Sequence, residues 1–373
     1  MINQQRIIDN FITMVEIASV SGKEGKIRDY LLGEFTGRGL QVLEDQAGDM
    51  VNGESGNLLV KIPGILETDT ILFAAHMDTV EPGEGIKAGL ADGVLRSNGN
   101  TILGSDDKAA IAAMIEAVDV LQENKIPHGP LELLITVCEE QGLKGSKHFD
   151  FTGLDSVMAY VLDAGGDPGT IIIQSPCQNE IEYKVYGKPA HAGMNPERGI
   201  NAIQAAAMAL ARMPCGRIDQ DTTCNLGIIA GGTARNIVAD YCHVTGEARS
   251  LTRPRLDEIT ELLKNTFIDE VQKQGARAEV DVKFLYSEVK LSPEDRVVKT
   301  AVRAIESIGL VPSLESTGGG SDASIIHGGG IPCVNLGIGM NNVHTCAEYI
   351  KVEDLVKDAQ IVLSIIREVA KED

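Results

Sequence analysis

Three short apolar runs in this chain each end on acids or a histidine, and this repetition constrains the fold more than any other feature. "ILFAAHMDTV" (71–80) opens with five apolar residues and closes on His76, Asp78 and Thr79. "LELLITVC" (131–138) leads into Glu139 and Glu140, and "SVMAYVLDAGG" (156–166) carries Asp163 at its tip. Runs of this kind read as buried strands, and the Ala-, Ile- and Met-rich "KAAIAAMIEAVDVLQEN" (108–124) between them reads as a helix. Strands alternating with helices predict an open α/β sheet, in which ligands sit at the carboxyl ends of the strands. Taken alone, His76 and Asp78 read first as the polar end of a strand serving a turn. Residues two apart on a strand share a face, however, so the Asp78 carboxylate can hold the His76 ring in one tautomer, as in a metal ligand and its orienter.

With 373 residues the chain exceeds the usual size of one core, which predicts two domains. Its formal net charge of -21, from 54 acidic and 33 basic residues, argues against nucleic acid or an anionic membrane as partner, since both require a basic face. The first twenty residues place Asp9 and Glu16 inside an amphipathic pattern that fits neither a secretory signal nor a membrane span. Seven cysteines without a C-x-x-C pair suggest reduced thiols and a cytoplasmic location.

The texture changes near residue 180. From there to about 290 the order is strand, helix, strand, strand, helix, strand, which matches a ferredoxin-like βαββαβ unit. The first texture returns after Pro293. The expected organisation is a discontinuous domain, 1–179 with 291–373, carrying an inserted domain at 180–290.

Collecting the polar strand ends gives His76, Asp78, Asp106, Glu139, Glu140 and Asp163, joined near the C-terminus by His344. Two imidazoles with several carboxylates suit Zn²⁺, with Co²⁺ or Mn²⁺ as alternatives. Packed together without cations, these carboxylates would repel and some would stay protonated.

The series H-x-D, G-x-D-D-K, E-E, D-x-G-G and a late histidine, in this order and spacing, resembles the co-catalytic zinc peptidases and deacylases, a family that includes aminotripeptidase, carboxypeptidase G and succinyl-diaminopimelate desuccinylase. The resemblance spans the whole chain. It implies a zinc-exopeptidase-like three-layer α/β/α catalytic domain with the inserted domain serving as lid and dimerisation unit. It also implies two zinc ions per chain: His76 and Asp163 would bind one, Glu140 and His344 the other, and Asp106 would bridge them. The Asp106–Asp107 peptide would be cis. Glu139 would act as general base, taking a proton from the attacking water and passing it to the leaving amine.

Within "GKPAHAGMNPERG" the resemblance makes His191 an oxyanion donor supplied across a homodimer. In "GGTARNIV" it makes Arg235 and Asn236 substrate contacts, and in "GGGSDAS" the loop bearing Gly319 and Ser321 could bind substrate through backbone N–H groups. His128, His148, His243 and His327 are read as structural. An aspartate at position 163 resembles the aminopeptidase side of the family, so the expected substrate is a di- or tripeptide. An N-acyl amino acid deacylase or carboxypeptidase is the alternative within the family, and a non-catalytic metal-binding scaffold the alternative outside it.

Overall fold

The structure, a computed structural model, describes residues 1–371. The chain divides into two compact units. One comprises residues 1–174, 290–317 and the chain from Ser321 onward; the other comprises Ser175–Val289 together with Gly318–Gly320.

Among the described residues, the first unit is built on a nine-stranded mixed sheet that runs Gln41–Glu44, Leu58–Ile62, Leu131–Thr136, Thr70–His76, Ser156–Ala164, Cys333–Gly337, Thr170–Ser175 and Val289–Lys290, with Ser313–Ser316 also paired to Thr170–Ser175. Strand Thr70–His76 is parallel to both neighbours, Leu131–Thr136 and Ser156–Ala164. Their carboxyl ends therefore share one edge of the sheet, and His76, Glu139, Glu140 and Asp163 emerge there. Alternate side chains feed two cores, as the pleat requires. Ile71, Phe73 and Ala75 face the larger core, while Leu72 and Ala74 face a smaller one closed by Ala323 and Ile326 of helix Asp322–Gly328. Helices thus cover both faces, giving the expected α/β/α layers.

Helix Ser105–Asn124 lies in the larger core with sixteen of its residues buried. Alanines at 109, 110, 112, 113 and 117 let it sit close to the sheet and to helices Gln4–Glu16 and Val352–Val369. Its first turn departs from helical geometry at Asp106 (φ -80°, ψ 100°) and Asp107 (φ -124°, ψ 27°), and the peptide between them is cis.

The second unit is an antiparallel sheet ordered Gly216–Arg217, Thr222–Gly231, Tyr241–Ser250, Cys177–Tyr186 and Arg277–Tyr286. Helices Ala202–Leu210 and Arg253–Lys273 pack together and against it, and the order of elements is the βαββαβ one. Strand Tyr241–Ser250 alternates strictly, burying Cys242, Val244 and Ala248 among others, while Tyr183 meets Phe267 ring to ring at 4.7 Å. This unit starts before the change in texture at 180, because Cys177, Gln178 and Asn179 already pair with Ser250, Arg249 and Ala248. No helix among the described residues is long and apolar enough to cross a membrane.

Candidate metal centre

At the carboxyl edge of the first unit's sheet, five side chains from distant parts of the chain meet in a continuous series. Asp106 sits at its middle. Its Oδ1 accepts from His76 Nε2 at 2.9 Å and its Oδ2 from His344 Nε2 at 3.1 Å, so each carboxylate oxygen serves one imidazole. His344 Nε2 also lies 2.8 Å from Glu140 Oε1. At the other end Asp163 Oδ1 stands 3.8 Å from His76 Nε2, beyond hydrogen-bond range. The series Asp163, His76, Asp106, His344, Glu140 contains all five residues expected to hold metal. The groups His76–Asp106–Glu140 and His76–Asp107–Asp163 each bring one ligand atom per residue within 4.8 Å of the others.

His76 Nδ1 is occupied by the main-chain carbonyl of Asp78 at 3.0 Å, which leaves Nε2 to face the carboxylates. The Asp78 carboxylate stands slightly farther from that ring nitrogen, at 3.4 Å. Its oxygens are engaged elsewhere: Oδ1 accepts from the Glu139 N–H at 2.9 Å, and Oδ2 from the Glu140 N–H at 3.2 Å and Ser21 Oγ at 2.6 Å. Asp78 is fully buried, so one carboxylate fixes the paired glutamates as well as facing His76.

The backbone around the series is constrained. Cys138, just before the glutamates, has φ 49° and His344 has φ 63°, both in the left-handed region that non-glycine residues seldom occupy. Such conformations persist where surrounding bonds enforce them, and they collect at functional sites. At Cys138 the enforcing group is buried Glu24, whose Oε1 accepts from the Cys138 N–H at 3.1 Å and from its Sγ at 3.3 Å. Asn335 holds the Asp163 N–H with its Oδ1 at 2.9 Å and donates from Nδ2 to Ser321 Oγ at 3.0 Å.

The titration behaviour reflects crowded acids. Burial, reinforced by the Asp106 charge, pushes Asp163 well above the usual carboxylate range. Burial and Asp163 do the same to Glu139, and also to Asp107, whose buried Oδ1 has no hydrogen-bond partner among the described residues. For Asp106 burial also opposes ionisation, but hydrogen bonds from His344 and His76 outweigh it and hold its pKa low. The hydrogen bonds to Asp106 and Glu140 raise His344 to about 10. Fully buried Lys108 donates from Nζ to the Ile17 carbonyl at 3.0 Å, and burial lowers its pKa to about 7. Acids that repel, an acid oxygen without a donor, and two imidazoles aimed at one carboxylate make a donor set that divalent cations would satisfy.

The other expected residues lie as follows. Ser321 caps helix Asp322–Gly328, its Oγ accepting from the Ala323 N–H at 3.3 Å. In the second unit, Arg235, Asn236 and Gly319 are exposed. His191 is exposed as well, and its Nδ1 accepts from the Gly193 and Met194 N–H groups at 3.2 and 3.1 Å, which leaves the ring proton on Nε2, facing away. Sequence reasoning missed Glu24, Lys108, Asn335 and Glu348. Only Lys108, inside the G-x-D-D-K run, carried a positional signal.

A two-histidine, multi-carboxylate centre, buried at His76 and half-exposed at His344, lies at the carboxyl edge of a three-layer α/β/α unit and defines a metal-dependent hydrolase. The family model of peptidase family M20/M25/M40 matches residues 72–368, and the chain belongs to that family; it is a metal-dependent peptidase. The crystal structure of aminopeptidase PepT from Bacillus cereus ATCC 10987 is 44% identical, with TM-score 0.91 and 99% of each chain covered. That of a tripeptidase from Staphylococcus aureus subsp. aureus Mu50 is 39% identical, with TM-score 0.95 over all of both chains. Peptidase T of Escherichia coli (strain K12) is 26% identical over 408 residues, covering 96% of this chain and 98% of its own.

Proposed function

We propose that this protein is a two-metal aminopeptidase that removes the N-terminal residue of short peptides, tripeptides foremost. The observation that carries the reading is the bridging position of Asp106, with one carboxylate oxygen on each imidazole. The names of the Bacillus cereus and Staphylococcus aureus proteins, similar over nearly the whole chain, support the peptide substrate. His76 and Asp163 would hold one cation, Glu140 and His344 the second, and Asp106 would serve both; the mixed nitrogen and oxygen donors favour zinc.

Two bound cations supply positive charge that polarises the scissile carbonyl and makes water more acidic. Glu139 takes the proton from the attacking water and delivers it to the leaving amine. Asp78 holds Glu139 and Glu140 by their N–H groups, so that the base and the ligand diverge from a fixed backbone. The partner subunit's His191 donates a hydrogen bond from its Nε2–H to the oxyanion, and Arg235 and Asn236 grip the peptide terminus, with Gly319 and Ser321 lining the substrate loop.

The homodimer forms through the inserted unit. Ile228 and Ile229, more than half exposed on strand Thr222–Gly231, support this, since only the start of that strand pairs with Gly216–Arg217. The seven free cysteines support a cytoplasmic location.

The test is metal analysis together with hydrolysis of a tripeptide, a dipeptide and an N-acetyl amino acid. Two divalent ions per chain and fastest cleavage of the tripeptide at its N-terminal bond are expected. Preference for the N-acetyl substrate would replace the reading with the deacylase one, and hydrolysis of none would replace it with the scaffold.

A further inference from the structure

Glu348 is a buried carboxylate, 2% exposed, that the reaction as described leaves without a task. Its Oε2 accepts from the N–H groups of Leu103 and Gly104 at 2.8 and 2.9 Å. Its Oε1 accepts from the Ser105 N–H at 2.7 Å, Ser105 Oγ at 2.6 Å and the Asp106 N–H at 3.2 Å. Five donors from four consecutive residues, ending at Asp106, thus converge on one side chain. Gly104 has φ 77°, a left-handed conformation that a larger residue adopts only under strain, and it lets consecutive N–H groups point the same way.

The other end of Glu348 is equally fixed. Its N–H donates to the Thr345 carbonyl at 3.1 Å, and Asn341 and Tyr349 exchange two backbone hydrogen bonds of 3.0 Å, closing the loop that carries His344. Strand Tyr349–Lys351 then pairs with Val94–Arg96. His344 and Asp106 are 238 residues apart in sequence, and Glu348 joins the loop of one to the loop of the other.

We propose that Glu348 is a positioning residue that sets the separation between Asp106 and His344, and through it the geometry and affinity of the cation position that Glu140 and His344 share with Asp106. A carboxylate suits the task because each of its oxygens can accept several N–H groups at once and because charge-assisted bonds hold distance more firmly than neutral ones. Outer partners of metal ligands commonly change affinity or turnover by about 10–100-fold when removed. The inference rests on the two-metal reading above.

The experiment loads the purified wild-type chain, Glu348→Gln and Ser105→Ala with cobalt(II), and records the visible d–d spectrum, the affinities by competition with a chelating dye, and steady-state kinetics on a tripeptide. Glu348→Gln keeps the volume but turns an amide NH₂ toward N–H donors. Glu353→Gln, on the neighbouring helix with its side chain 73% exposed, serves as control. For Glu348→Gln the expected result is an altered spectrum, a weaker ion held roughly 10-fold or more less tightly, and a kcat lowered at least about tenfold with little change in KM. Ser105→Ala should move the spectrum in the same direction by less, and it decides the matter if Glu348→Gln does not fold. A plain helix-capping role would lower Tm and leave spectrum, affinity and kcat at wild-type values; that outcome overturns the proposal. A wild-type chain that binds no cobalt would instead overturn the two-metal reading itself.

Discussion

Replacing Asp78 by asparagine tests how far the centre depends on a residue that binds no metal. The change keeps the side chain's shape and removes its charge and one acceptor oxygen. Three donors now converge on that carboxylate: the Glu139 N–H at 2.9 Å, the Glu140 N–H at 3.2 Å and Ser21 Oγ at 2.6 Å. An amide oriented to serve Glu139 turns its NH₂ toward Glu140 and Ser21; the opposite orientation abandons Glu139. Ser21 can rotate its hydroxyl and donate elsewhere, whereas a backbone N–H cannot. One charge-assisted bond to a main-chain N–H is therefore lost outright, at about 1.5–3 kcal/mol, and those that remain weaken to neutral strength. The sum is roughly 3 kcal/mol, and about 1.4 kcal/mol corresponds to a factor of ten. We expect kcat/KM for a tripeptide to fall on the order of 100-fold, with the chain folded and both metal ions retained at saturating zinc. Kinetics, elemental analysis and thermal denaturation on the same preparation check this. A variant with kcat/KM within about threefold of wild type and full metal content would refute the claim that the Asp78 bonds position Glu139.

Four further outcomes are expected. Asp106→Ala should weaken both metal ions, as elemental analysis after dialysis would show, and full occupancy would exclude Asp106 as the bridge. Glu139→Gln should keep its metal and its melting temperature but lose at least about 100-fold in kcat, the lower end of general-base contributions. Mixing His191→Ala with Glu139→Gln under subunit exchange should restore part of the activity, because some mixed dimers regain one complete site; verified exchange without recovery would place His191 outside the partner's site. Asp358, fully buried with neither oxygen hydrogen-bonded among the described residues, has its pKa raised well above the carboxylate range by burial and then by Asp354. A raised folded pKa means that stability present in acid is lost as pH climbs through that pKa. Asp358→Asn should accordingly melt higher than wild type at pH 8 and lose that advantage near pH 4, and a pH-independent difference would contradict this.

The features legible in the sequence were those written in local order. Apolar runs ending at His76, Glu139 and Asp163 announce themselves because strand length and polarity are contiguous properties, and the parallel pairing of those strands then brings the ends together. Glu348 was not legible: its five donors lie about 240 residues away, and a single glutamate in "HTCAEYI" looks like any solvated acid. Glu24 and Asn335 were hidden for the same reason. Ser321 reads as a loop residue in "GGGSDAS", yet the helix that starts at Asp322 is only seven residues long, too short for its periodicity to reveal a cap. For His76, the two-residue spacing pointed to the Asp78 carboxylate, whereas the chain bends so that the Asp78 carbonyl comes closer to the ring, at 3.0 against 3.4 Å.

The long segment of the second unit, Ser175–Val289, enters and leaves by adjacent positions. Gln178, near its beginning, pairs directly with Tyr286, near its end, and in the first unit Ile173 accepts from the Leu291 N–H at 2.9 Å. The two crossing points are therefore about one strand spacing apart, ~5 Å, on either side of the junction. A peptide link of two or three residues from Gln174 to Lys290 could close that gap without altering the register of the first unit's sheet. The more than one hundred intervening residues are grafted onto a scaffold whose own chain path hardly registers the detour. Such a joint lets lineages lengthen, exchange or reshape the graft while the residues that gather around Asp106 keep their places.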